Sequence, residues 1–112
     1  MKGYVSVRVP EDAIIPKEKL TLYLLVPRQK NDKSGYLAQA GFTRENPDVL
    51  DAAIRKLIVE NDAIPDRHNE YGTFYRVEGE LRGPQGVLST VTVWILRANE
   101  DRYRFVTLKP AR

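Results

Sequence analysis

Arg28, Lys30 and Lys33 fall within six positions of the stretch P-R-Q-K-N-D-K-S-G-Y-L-A-Q-A-G-F at residues 27–42. Cations at that density can hold a phosphate. The apolar pattern that follows predicts a short helix over 33–40, with Tyr36, Leu37 and Ala40 inward. Asn31 or Asp32 suits its N-cap, because either side chain can accept from a free N–H group, and Gly41 suits a left-handed C-cap. A helix start explains this spacing by itself. It is also an anion site, with unpaired N–H groups and the favourable end of the dipole. A lysine in the first turn works against that dipole, so Lys33 is the position that folding alone explains least.

A second set of chemistry-bearing residues lies in D-R-H-N-E-Y-G, read as a polar loop ahead of a strand. His68 is the single histidine and the one side chain whose ordinary pKa lies near neutrality. With Tyr71 or Lys33 it is a candidate for moving protons, although loop composition accounts for it equally well. With no cysteine and one histidine, thiolate chemistry is excluded and a metal site lacks ligands, so neither a metal nor a cofactor is expected. There is no P-loop and no G-x-G-x-x-G. Gly83 and Gly86 belong to a turn, and Ser34 and Ser89 have no nucleophile-elbow context.

These residues need elements to position them. Tyr4 to Val9 alternates as a strand. Pro16 opens a helix running to about Leu25, with Leu20, Tyr23 and Leu24 on its apolar face, and Pro27 stops it. Asn46-Pro47 starts the clearest helix, whose stripe is Leu50, Ala53, Ile54, Leu57 and Ile58 and which ends near Asn61. Strands follow at 73–82, 87–97 and 103–108, separated by turns at Gly83-Pro84-Gln85-Gly86 and Asn99-Glu100-Asp101. Alternation sets Tyr75, Val77 and Leu81 on one face of the first of these strands. In the second it sets Val87, Val91, Val93 and Ile95 against Thr90, Thr92 and Trp94. The order predicts an α+β fold: an N-terminal strand, then two or three helices packed on one face of a C-terminal three- to four-stranded antiparallel sheet. The open face would collect Arg76, Glu78, Thr90, Thr92, Trp94 and Arg104, a set suited to RNA because arginine pairs with phosphate and a ring stacks on a base. The same set also reads as a half-solvated sheet with cross-strand ion pairs.

The 112 residues predict a single domain over 1–112. Hydrophobic residues at 42% and charged residues at 29% are ordinary for a globular protein, and no apolar run reaches the length of a membrane span. The N-terminal alternation lacks a signal-peptide core, which predicts cytoplasmic residence. The net charge of +3 is uneven: residues 16–36 carry five basic and two acidic groups, residues 43–70 four and seven, and residues 71–112 seven and four. A polyanion could approach the basic parts, and the pattern also serves internal charge balance.

Taken together, the segments K-L-T-L-Y-L-L-V-P (19–27), N-D-K-S-x-x-L-A-Q-A-G-F (31–42), E-Y-G-T-F-Y-R-V-E-G-E-L-R-G-P-Q-G (70–86), V-T-V-W (91–94) and R-F-V-T-L-K-P (104–110) resemble a bacterial family of small domains of unknown function, frequent in cyanobacteria. The resemblance covers about residues 13–110. It implies a toxin-like module, since related domains stand beside small partner genes and at the ends of large secreted toxins. Many relatives carry H-P-x-G-x-x-K-A where this chain reads R-Q-K-N-D-K-S-G. Lys33 matches the lysine, while the histidine has no counterpart and Gln29 lies near its place. The element order also resembles, at the level of fold alone, the RelE-like and colicin-type RNase toxins.

Residues and resemblance together give the expectation of a toxin-like protein of a toxin–antitoxin type system, acting on RNA as a metal-independent ribonuclease with a small cognate protein partner. Lys33, His68, Tyr71 and Arg104 are its candidate catalytic residues; Lys30, Arg76, Thr92, Trp94 and Thr107 are its candidate substrate contacts. The alternatives are a non-catalytic antitoxin or adaptor that uses the open sheet face, and a degenerate member without activity.

Overall fold

The computed structural model describes residues 7–30 and 32–111. The fold is α+β, with an open antiparallel sheet of four strands in sequence order: β1 Ile64–Asn69, β2 Gly72–Gly83, β3 Gly86–Arg97 and β4 Tyr103–Pro110. Half of the strand expected at Tyr4 to Val9 lies outside the described residues, and in the described half Arg8 and Val9 are not strand. What is described of it is one antiparallel bridge, in which the Ala63 N–H donates to the Val7 carbonyl at 2.7 Å. The fourth strand is instead β1, which contains His68 and corrects the reading of D-R-H-N as loop. All six β1 residues are exposed, so no apolar alternation marks it.

The helices cover one face of the sheet. Helix α2, Pro47–Glu60, buries Leu50, Ala53, Ile54, Leu57 and Ile58 as its stripe predicts. It crosses β2 at Gly79, where a Cβ would collide with the Asn61 side chain and press on Leu57, so the close approach requires glycine. Asn46 precedes Pro47 as predicted but does not cap with its side chain. Its Oδ1 accepts from the Thr43 N–H at 2.8 Å, which ties the preceding turn instead. Helix α1 is a short turn, Ser34–Ala38, that buries Leu37; Gly41 follows with φ +91°. Asp32 Oδ1 accepts from the Ser34 N–H at 2.8 Å and from its hydroxyl at 2.7 Å, whereas Asn31 lies outside the described residues.

The segment after Pro16 closes as a π turn, Lys19–Leu24, in which the Leu25 N–H reaches the Leu20 carbonyl at 3.0 Å. The wider turn puts Leu20, Leu24 and Leu25 on the buried side and swings Tyr23 out to 51% exposure, correcting the predicted face. Among the described residues no helix is long and apolar enough to cross a membrane.

Strand β3 sits in the opposite phase to the one its valines suggest. The tight turn pairs Gly83 with Gly86, and counting outward sets Leu81 against Leu88, Val77 against Thr92 and Tyr75 against Trp94. Thr90, Thr92 and Trp94 therefore face the helices and are fully buried; they are not on the open face. The polar atoms are satisfied there. Trp94 Nε1–H donates to Thr92 Oγ1 at 2.8 Å, Thr92 Oγ1–H donates to the Val77 carbonyl at 3.0 Å, and Thr90 Oγ1 shares a 2.8 Å hydrogen bond with the Tyr36 hydroxyl. Trp94 meets Phe105 edge to face at 5.3 Å in the main core. The outer face carries Arg76 and Glu78 as predicted, in register with Val93 and Val91, and Arg104 in register with Ile95.

Strand β4 has its own irregularity. Trp94 pairs with Phe105 and Val93 with Thr107, so Val106 is an extra, bulged residue. Before the bulge, Ile14 covers the β4 edge: its N–H donates to the Tyr103 carbonyl at 2.9 Å and its carbonyl accepts from Phe105 at 2.8 Å. At Val106 the π turn meets the strand, where Lys19 Nζ donates to the Val106 carbonyl.

Candidate functional site

A π turn and a β-bulge face each other, and the space between them is a cavity of about 380 Å³ lined by Lys19, Tyr23, Leu24, Arg28, Lys33, Val106 and Thr107. Neither wall is regular structure, and each irregularity has a visible consequence. The bulge leaves the Val106 carbonyl outside the ladder, and Lys19 Nζ donates to it at 3.0 Å. The π turn projects Tyr23 outward, where the Arg28 guanidinium lies over its ring at 5.0 Å from the centroid. Asp32 and Ser34 fix the chain on both sides of Lys33.

Among the described residues seven line the cavity, of which three are cations and none is a carboxylate. Partial burial holds the Lys33 ammonium below its ordinary pKa, and the charges of Arg28 and Lys109 push it the same way. Among the described residues Lys33 Nζ has no hydrogen-bond or ion-pair partner. Asp32, close enough to feel Arg28, is held below the usual carboxylate range first by the Ser34 hydroxyl and then by the Ser34 N–H. Its bonds tie it to the loop rather than to the cavity. A phosphate would relieve the mutual repulsion of these cations, with Arg28 offering a planar fork and Lys33 a point charge. The site is built from side chains: α1 has only five residues, too few for its dipole to make an anion site.

Of the nine residues singled out from sequence, Lys33 and Thr107 line this cavity together. Lys30 is exposed in the preceding loop. Arg104 lines a neighbouring cavity with Ile14 and Arg102, and Glu100 engages it at 3.5 Å. Arg76 faces Asp66 at 3.8 Å on the outer face. His68 and Tyr71 sit at the far hairpin, where His68 Nδ1 lies 2.8 Å from Thr73 Oγ1 and Tyr71 lines a third cavity with Phe74 and Arg97. Thr92 and Trp94 are buried in the core and cannot touch a ligand. Lys19 and Tyr23 were missed. Their i, i+4 spacing was visible in sequence as a shared helical face, but the apolar pattern assigned Tyr23 to the core.

Edge strand β1 offers little to an added strand, because Pro65, the bulge between Pro65 and Arg67, and the charges of Asp66 and Arg67 interrupt it.

Fold and cavity define a small α+β protein with a cationic pocket against the edge of its last strand. The chain belongs to the family described as Domain of unknown function (DUF6883), which matches residues 8–112. Comparisons with the curated proteins and with the solved structures gave no match.

Proposed function

We propose that the protein acts on RNA as a metal-independent ribonuclease of toxin type, with the Lys33 pocket as its site. The observation that carries this reading is the set of Lys19, Arg28 and Lys33 around one cavity without a lining carboxylate. Arg28 and Lys33 hold the scissile phosphate, and Thr107 orients one of its oxygens. The neighbouring 2′-hydroxyl attacks phosphorus and gives its proton to solvent water. The phosphorus–O5′ bond breaks, and the Lys33 ammonium protonates the departing O5′. Solvent then returns the proton to the Lys33 amine, and the product ends in a 2′,3′-cyclic phosphate. A lowered lysine pKa suits this role, because the ammonium binds the anion and releases its proton more readily than an ordinary lysine. The toxin-type assignment and the small protein partner rest on the motif resemblance.

The test is cleavage of total RNA by purified protein with a chelator present, beside Lys33→Met and His68→Ala. Discrete fragments from wild type and His68→Ala but not from Lys33→Met support the reading. Intact RNA in every lane over a wide protein range counts against it. Activity lost with His68→Ala instead would move the site to the far hairpin.

A second reading, a non-catalytic adaptor working through the outer sheet face, draws on Val87 and its 52% exposure and on the valine row beside the charges of β2. Partner binding that is sensitive to Val87→Asp and indifferent to Lys33→Met would favour it.

A further inference from the structure

Among the described residues Tyr23 is the one aromatic that lines the cationic cavity, and it is half exposed. The π turn is what brings this ring outward, away from the core side on which an ordinary helix would place it. The Arg28 guanidinium at 5.0 Å from the centroid holds the ring in place and sets a cation beside it. A flat ring and a cluster of cations within one cavity's width match the repeat of a single-stranded nucleic acid, where each phosphate is followed by an unpaired base. A duplex keeps its bases stacked inside and offers such a ring only its backbone.

We propose that Tyr23 is a base-stacking platform, which makes the pocket selective for single-stranded over double-stranded nucleic acid. This rests on the reading of the cavity as a phosphate site. The base next to the held phosphate lies on the Tyr23 ring, and Arg28 serves both partners, phosphate through its fork and ring through its charge. Because any base has a flat face, the platform selects strandedness and tolerates sequence.

The experiment is fluorescence anisotropy with a labelled single-stranded 2′-O-methyl oligoribonucleotide, the same strand in a duplex, and pyrophosphate as competitor. The proteins are wild type, Tyr23→Leu, Tyr23→Phe and Lys33→Met. The expected result is tighter binding of the single strand than of the duplex, with affinity for the single strand falling about tenfold in Tyr23→Leu and returning in Tyr23→Phe. Pyrophosphate should compete equally well in wild type and Tyr23→Leu, since it carries no base to stack on the ring. Unchanged single-strand affinity in Tyr23→Leu, with Lys33→Met impaired, would overturn the platform and leave the phosphate site standing. An equal loss of pyrophosphate and single-strand binding in Tyr23→Leu would also overturn it, since Tyr23 would then only position Arg28. Binding of every probe indifferent to Lys33→Met would overturn the phosphate site and the platform with it.

Discussion

The Lys19 ammonium donates to the main-chain carbonyl of Val106 at 3.0 Å, across 87 residues of sequence. One bond thus joins the π turn to the β4 bulge, the two irregularities that form the walls of the cavity. As the last strand of the sheet, β4 has an outer edge whose carbonyls need partners from elsewhere, and at the bulge that partner is the Lys19 ammonium. Bulges and π turns recur where a side chain must be re-aimed, and here both re-aim groups at the same space.

That bond sets the first prediction. Lys19→Met keeps the stem but leaves the Val106 carbonyl without its donor. Urea denaturation should show a loss of about 1–2 kcal/mol, the value of a partly buried hydrogen bond to a charged group. Anion binding should weaken as well, because the wall moves. Unchanged stability would mean that the bond does not hold the wall.

Lys33 should behave in the opposite way. Its folded-state pKa is lowered, so between the folded and unfolded values the unfolded chain binds more protons and stability rises with pH. Below that window both states are protonated and the penalty is fully present. Lys33→Met should therefore melt no lower than wild type at neutral pH and should flatten the rise of melting temperature toward alkaline pH. A lower melting temperature for Lys33→Met would show that the lysine serves the fold.

Binding to single-stranded RNA should be strongly salt-dependent. Removing one phosphate-contacting cation, by Arg28→Gln or Lys33→Met, should reduce the slope of log K against log salt by about 0.7. Lys56→Gln, on the exposed side of α2, should leave the slope as it is. Equal slopes for all these proteins would put the RNA elsewhere.

Trp94 and Thr92 are core residues, and their variants should report stability. Trp94→Ala should cost about 3–5 kcal/mol. Thr92→Val should cost about 1–3 kcal/mol, because the Val77 carbonyl and the Trp94 N–H both lose their partner in a buried place. A folded Trp94→Ala of near-normal stability that had lost ligand affinity would contradict the buried placement.

The places where sequence reading held and where it failed have physical causes. The α2 stripe and strands β2 and β4 were legible because each buries one face and so carries its period openly, while β3 was legible as a strand but was read in the wrong phase. The phase of β3 was also available: counting outward from the Gly83–Gly86 turn puts Leu88 with Leu81, and hence Thr92 and Trp94 inward. Valine content on the other face, where Val91 and Ile95 are buried outside the main core, concealed this. β1 was illegible because nothing in it is buried. The π turn was illegible because L-T-L-Y-L-L fits an ordinary helix, and only the packing of Leu20 with Leu24 and Leu25 favours the wider turn. The pocket combined both conditions. Lys33 stood out by working against its helix start, but Val106 and Thr107, which line the cavity with it, come from the far end of the chain, through a bulge that no local pattern announces.

The most direct test of the Lys33 site is its own titration. NMR of the lysine side-chain Cε–Hε groups would follow each lysine through alkaline pH, with and without a 2′-O-methyl dinucleotide carrying one phosphate. Lys33 should titrate below the exposed lysines in the free protein, and the dinucleotide should move its pKa upward by placing an anion against the ammonium. A Lys33 that titrates with the exposed lysines and does not respond to the dinucleotide would contradict the account.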